Sequence, residues 1–229
     1  MKNCPKYAPE WLSRTTISYG ENKKINWITI NKLEDLIWIT NKTSIELHTW
    51  FSTTSHLENP DFAVFDLDPG ANINFDETID TVKTIVKILN ELNLNFYIKT
   101  SGKRGMHIFI PILKIYTYSQ IRNFLQNITK LLIEINPNKI TDKWQKKKRK
   151  GKLYIDYRQN AQGKTIPAPY SLRPTPEATV STPIKETILN SNFSPTDYTL
   201  QHIYDSLNTS NNRWKKILLD RQTLPQSLL

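Results

Sequence analysis

Hydrophobic positions along the chain fall into two rhythms: short unbroken apolar runs, and apolar residues spaced three and four apart. The runs read as buried strands: Phe62-Ala-Val-Phe-Asp-Leu-Asp68, which Pro69-Gly70 ends, then 95–100, the segment running into Pro111, and Leu153-Tyr-Ile-Asp156-Tyr157. The spaced pattern reads as helix. Over 76–92 it puts Ile79, Val82, Ile85, Val86, Leu89 and Leu92 on one face. Over 118–135 it does the same with Ile121, Phe124, Leu125, Ile128, Leu131, Leu132 and Ile135, and Pro137 stops it. Two more helices are expected over 198–207 and 211–219. Strands alternating with helices predict a mixed α/β fold, with 1–229 forming a single domain. The segment 159–183 carries five prolines and is too long for an ordinary connection, so it is expected to be a structured, functional loop.

Composition narrows the setting. A chain of 229 residues with 38% hydrophobic positions can bury a substantial core without disulfides, and its single Cys4 excludes an internal disulfide or a multi-cysteine zinc site. No run approaches a membrane span and the N-terminus lacks a signal-peptide pattern, so a cytoplasmic protein with no membrane partner is expected. The net charge of +10 favours a polyanionic partner, for which nucleic acid is the economical choice. Cations are densest in Lys143-Trp-Gln-Lys-Lys-Lys-Arg-Lys-Gly-Lys152. There Lys146, Lys147, Lys148, Arg149 and Lys150, with Trp144 beside them, suit phosphate contact and base stacking, whereas the plain alternative is a solubilising loop.

The candidate chemistry begins at Asp66 and Asp68, two residues apart on one strand and so on one face of it. Two close carboxylates in a partly dry cleft repel, and hard divalent cations relieve that repulsion through oxygen coordination. Asp-x-Asp before Pro-Gly is also ordinary turn chemistry. Asp156, on a second apolar strand, supplies the third carboxylate that two metals need. Between them lies Lys99-Thr-Ser-Gly-Lys-Arg-Gly-Met-His107, a strand leading into a glycine turn. The Ser101 hydroxyl, Lys103, Arg104 and backbone N–H groups near Gly102 and Gly105 could cradle a triphosphate. Taken singly, His48 and His107 would be satisfied packing histidines, Ser101 a turn residue, and Arg173 a surface cation with a packed stem. His56 and His202 read as surface or packing residues.

In order, these blocks resemble the polymerase domain of bacterial and archaeal ligase D, the end-joining branch of the archaeo-eukaryotic primase superfamily. The resemblance rests on Asp66/Asp68, on Ser101 to Pro111, on Asp156-Tyr-Arg-Gln-Asn160, on Ala168-Pro-Tyr-Ser-Leu-Arg173, on Val180-Ser-Thr-Pro183, and on Ile45-Glu-Leu-His48-Thr-Trp50 upstream. It implies a primase-polymerase core with an RRM-like mixed sheet flanked by helices. It further implies that Asp66, Asp68 and Asp156 bind two catalytic ions, Mn²⁺ or Mg²⁺, and that Ser101, His107 and Arg173 contact the phosphates of an incoming NTP, with His48 at the nucleotide site. A lysine is usual near Lys103 or Arg104. Ribonucleotide preference follows from the resemblance alone, as do DNA ends or gapped DNA as substrate and a separate DNA ligase and the Ku end-binding protein as partners.

Two departures qualify the match. The sequence reads as N-terminally short, without the family's 5′-phosphate site and template-stacking aromatics, and Ile184-Lys-Glu stands where the family has a tryptophan. A two-metal nuclease would share the carboxylates but would have no use for a triphosphate cradle. A non-catalytic DNA-end-binding remnant, or a subunit awaiting a partner chain, would bind DNA without transferring nucleotides.

Overall fold

The computed structural model describes residues 3–19, 23–206 and 213–229, in which two compact units, Met1–Ile45 and Glu46–Leu229, separate. In the first unit, strands β1 (Arg14–Tyr19) and β2 (Lys23–Ile28) form an antiparallel hairpin ahead of helix α1 (Leu33–Asn41). Buried Asp35 steadies the start of that helix by accepting the backbone N–H groups of Asn31 and Lys32 at 2.9 and 3.2 Å.

The second unit is built on β3 (His48–Thr49), β4 (Phe62–Asp68), α2 (Phe75–Glu91), β5 (Tyr97–Thr100), β6 (Met106–Pro111), α3 (Tyr118–Ile135), β7 (Ile140–Thr141), α4 (Lys146–Arg149), β8 (Leu153–Ile155), β9 (Ile166–Pro167), β10 (Pro183–Ile184) and α5 (Leu200–Ser206). Six of these strands form one sheet in the order β10-β5-β6-β4-β8-β7, antiparallel except where β7 runs parallel to β8, while β3 pairs with β9 separately. The two long helices begin at true caps: Asn74 and Thr117 accept from the N–H groups of Glu77 and Gln120, and the Glu77 and Gln120 side chains reach back.

The period-two alternation of the strands decides what each face carries. Ala63, Phe65 and Leu67 of β4, Ile98 of β5, Met106, Ile108 and Ile110 of β6 and Leu153 and Ile155 of β8 join Ile79, Val82 and Ile85 of α2 and Ile121, Phe124 and Leu125 of α3 in the main core. Burying a side chain of this size contributes about 1.5–3 kcal/mol. The intervening residues face the other way: Val64 and Phe109 join Phe51, Tyr118, Ile166 and Ile217 in a smaller core. By the same alternation Asp66, Asp68, Lys99, His107 and Tyr154 lie on that second face.

The helix expected over 118–135 has those bounds, and the one expected over 76–92 is displaced by one residue. Residues 207 and 211–212 lie outside the described residues. The next segment, Arg213–Lys216, is a single 3-10 turn rather than an α-helix: Ile217 N–H bonds the carbonyl three residues back, and Trp214 packs edge-on against Phe109 of the sheet at 5.1 Å. The proline-rich segment is structured, as expected, with β9 inside it and a bridge between Leu172 and Val180.

Candidate active site

Asp66 and Asp68 close β4 on the face turned from the long helices. Pairing of β4 with β8 runs Leu67 to Ile155 and Asp68 to Tyr154, and the Asp156 N–H then donates to the Asp66 carbonyl at 2.8 Å, so Asp156 arrives beside Asp66 just past the strand end. Burial pushes Asp66 up to about 6 against the pull of Lys99, Arg173 and Arg149. Asp68 is also raised to about 6, by loss of water and then by the charge of Asp66. Its side chain is 55% exposed, so solvent screens the push more than at Asp66. Burial raises Asp156 as well, and among the described residues its buried Oδ1 has no hydrogen-bond partner.

A buried, undonated carboxylate oxygen beside two further acids held above their ordinary range is a donor set that suits a hard divalent cation. Among the described residues no three His, Cys, Asp or Glu side chains stand close enough together to hold an ion as they are placed.

The β5–β6 hairpin supplies the second half of the site. Ser101 Oγ accepts the N–H groups of Lys103 and Gly105 at 3.1 and 3.0 Å, so those two amides hold the turn instead of pointing at a ligand. The Gly102 φ is +73°, and a Cβ there would stand 2.5 Å from Arg173 Cγ; at Gly105 it would meet the Leu67 carbonyl oxygen at 2.3 Å. The two cations of the turn part company. Arg104 donates to the Pro69 carbonyl at 2.8 Å, while exposed Lys103 lies within electrostatic reach of Glu46.

Arg173, nearly buried, donates through Nη1 to the Ser101 carbonyl at 2.8 Å. Its Nε is 2.8 Å from Glu46 Oε1 but off the N–H axis, so the pair is a charge contact rather than an aligned hydrogen bond. The same oxygen is 3.1 Å from His48 Nε2. Burial raises the Glu46 carboxyl, but the His48 hydrogen bond and the Arg173 charge outweigh it and hold the group below its ordinary value.

His107, opposite Asp66 in the β4–β6 register, has Nε2 3.2 Å from Asp66 Oδ1 and Nδ1 2.8 Å from Lys99 Nζ. Both are buried, and burial pushes the imidazole and the ammonium well below their ordinary ranges.

One cleft of about 410 Å³ gathers His48, Asp66, Asp68, Ser101, Lys103, Arg104, His107 and Arg173 on its walls, together with Gln159 and Thr165 from the proline-rich segment. Asp156 is tied to this cleft through the Asp66 backbone. The basic run divides. Lys146, Lys147, Lys148 and Lys150 are exposed on and just after one short turn of helix, beside a Trp144 that is 64% exposed. Arg149 instead lies 3.7 Å above the Tyr154 ring with Nη1 4.0 Å from Asp68 Oδ2, and its other nitrogens donate to the carbonyls of Lys143 and Trp144. His56 and His202 are exposed and lie outside the cleft. Sequence reasoning did not assign roles to Glu46 and Lys99. The only signal was alternation, Glu46 two residues before His48 and Lys99 two residues after Tyr97.

Acids at the ends of adjacent sheet strands thus face a glycine turn with cations around it, on an α/β core. Residues 1–214 match the family model "LigD, primase-polymerase domain", and the chain belongs to that family. It is 31% identical over 157 residues to the multifunctional non-homologous end joining protein LigD of Pseudomonas aeruginosa, covering 69% of this chain and 19% of that protein. With the bifunctional non-homologous end joining protein LigD of Bacillus subtilis it shares 30% over 207 residues, 90% of this chain and 33% of that one. The chain thus spans a third or less of the length of these relatives. Its fold matches the polymerase domain from Mycobacterium tuberculosis ligase D, in complex with DNA, with a TM-score of 0.84 and 23% identity over 96% of this chain and 79% of the other. No helix among the described residues is long and apolar enough to cross a membrane.

Proposed function

We propose that the chain is a DNA-dependent nucleotidyltransferase that adds nucleotides, ribonucleotides by preference, to a 3′-hydroxyl at DNA ends or gaps during end joining. Asp66, Asp68 and Asp156 would hold two divalent cations, Mn²⁺ or Mg²⁺, which when bound activate the 3′-hydroxyl and neutralise charge on the leaving pyrophosphate. The protein's own part is positioning and electrostatics. Arg173 and Lys103 present positive charge to the triphosphate, the Ser101 hydroxyl keeps its proton for a phosphate oxygen, and Glu46 aligns Arg173 and His48 along one wall. Arg104 braces the turn through Pro69, and His107 stands where the acids meet the phosphate side. Lys146, Lys147, Lys148 and Lys150 contact the DNA backbone without reading sequence.

The reading is carried by the meeting in one cleft of the β4 carboxylates with Ser101, Lys103 and Arg173. The relatives' names point to end joining, and the solved neighbour was captured on DNA. In the cytoplasm, a separate ligase and the Ku end-binding protein would complete a repair reaction. The test is elongation of a recessed or gapped DNA by the purified chain with rNTP or dNTP and Mn²⁺ or Mg²⁺. Nucleotide-dependent lengthening is expected. A folded, DNA-binding chain that lengthens nothing would replace this reading with that of a DNA-end-binding subunit in need of a partner chain.

A further inference from the structure

Lys99 is a cation with no exposed surface, set in the middle of a sheet, and neither the carboxylates nor the phosphate-facing groups account for it. Burying an ammonium is costly unless every proton is used, and an apolar residue would fill the space at lower cost. Among the described residues Lys99 Nζ has two hydrogen-bond partners, Ser181 Oγ at 2.5 Å and His107 Nδ1 at 2.8 Å, with the Phe109 ring 5.8 Å away.

The directions of these bonds can be worked out. Ser181 Oγ gives its own hydrogen to the Thr100 carbonyl at 2.9 Å, so toward Lys99 it can only accept. Lys99 therefore donates to Ser181. At His107, a protonated Nδ1 facing an ammonium 2.8 Å away would set two donors against each other, so an ammonium requires a bare Nδ1. The neutral ring then carries its proton on Nε2, which faces Asp66 Oδ1 at 3.2 Å and donates to it.

We propose that Lys99 is a positioning residue, which fixes His107 in the Nε2–H tautomer and through it holds one Asp66 oxygen, leaving the other for a cation. The inference rests on the polymerase reading for the presence of a cation at Asp66. The chain of donors runs from the segment before β10 across β5 and β6 to β4, so it ties the strand bearing the acids to the strand pair that carries the phosphate-facing turn. Carboxylates and backbone groups that orient metal ligands in this way typically change metal affinity by about 10–100-fold when removed.

The experiment is long-range ¹H–¹⁵N correlation spectroscopy of ¹⁵N-histidine-labelled protein at neutral pH, with His107 assigned by its absence in His107→Gln, alongside Mn²⁺ binding followed by electron paramagnetic resonance without nucleotide. Wild-type protein should show His107 protonated on Nε2 alone. Lys99→Met should shift the ring toward the Nδ1–H tautomer and weaken Mn²⁺ binding by about tenfold or more. A wild-type His107 protonated on Nδ1 would overturn the inference without any variant, which covers the case in which Lys99→Met does not fold. So would an unchanged tautomer or unchanged Mn²⁺ affinity in folded Lys99→Met. Wild-type protein that gives the expected tautomer and binds Mn²⁺ but extends no primer would defeat the polymerase reading alone.

Discussion

Asn160 hydrogen-bonds both backbone groups of Val64, its Oδ1 accepting the N–H at 2.9 Å and its Nδ2 donating to the carbonyl at 2.8 Å. The pairing takes the place of a ladder rung at a point where β4 is no longer paired with β8. Asn160 also bonds the Tyr157 carbonyl, and Arg122 of α3 bonds the Asn160 carbonyl, so the turn following Asp156 is clamped to the strand bearing Asp66. Asn160→Ala leaves a buried donor and a buried acceptor of Val64 unmet, at about 1–3 kcal/mol each. A loss of about 2–4 kcal/mol is therefore expected in urea unfolding, and a loss below about 1 kcal/mol would mean that water or neighbouring groups take over the bonds.

The acids give the metal-free protein a pH dependence of definite sign. Asp66 and Asp68 are raised from 3.8 to about 6 in the folded chain, so between those values the folded state binds more protons than the unfolded one. The stability these groups contribute is present at low pH and is lost as pH rises through about 6. Asp66→Asn, which cannot ionise, should thus gain stability relative to wild type above that range. Added Mn²⁺ should raise the wild-type melting temperature increasingly as pH climbs through the same window, and should do little for Asp66→Asn. Thermal shift scans across pH check both; equal Mn²⁺ shifts in the two proteins would contradict the assignment.

Arg173 and Glu46 should separate in kinetics. Arg173→Ala removes a cation facing the cleft and should raise the nucleotide KM by about tenfold or more, since charged hydrogen bonds contribute about 1.5–3 kcal/mol. Glu46→Gln keeps the shape but relaxes the hold on Arg173 and His48, and should raise KM less. A Glu46→Gln effect equal to that of Arg173→Ala would mean that Glu46 matters through more than orientation.

The basic run should not behave as a unit. Replacing Lys146, Lys147, Lys148 and Lys150 with alanine should weaken duplex binding and flatten its dependence on salt, by about one unit of slope for each phosphate no longer neutralised. Arg149→Ala should leave that slope nearly unchanged, because its guanidinium is engaged by Tyr154, Asp68 and two backbone carbonyls. Salt titrations of DNA affinity distinguish the two; an Arg149→Ala slope change as large as that of a lysine would return Arg149 to the DNA-facing set.

Much of this arrangement was legible because it depends on local rules. Period two put Asp66 and Asp68 on one face, period 3.6 marked 118–135, and the glycines flanking Lys103 and Arg104 marked a tight turn. The features that escaped depend on residues distant in sequence. Nothing near Lys99 announces that Ser181 and His107 will stand within hydrogen-bonding distance of it, and nothing near Glu46 announces Arg173. Arg149 looked like its lysine neighbours because the Tyr154 ring and Asp68 that capture it lie on other elements. The segment after Trp214 carried a helical pattern, but docking of Trp214 on Phe109 of the sheet accompanies a turn there instead.

The most direct measurement is primer extension on a recessed DNA end by wild-type, Asp66→Ala and Asp156→Ala proteins, with duplex affinity determined on the same preparations. Metal-dependent extension by the wild type is expected to fall to background in both variants while most DNA binding persists. Extension that survives either substitution, or DNA binding that collapses together with it, would contradict the placement of catalysis at these carboxylates.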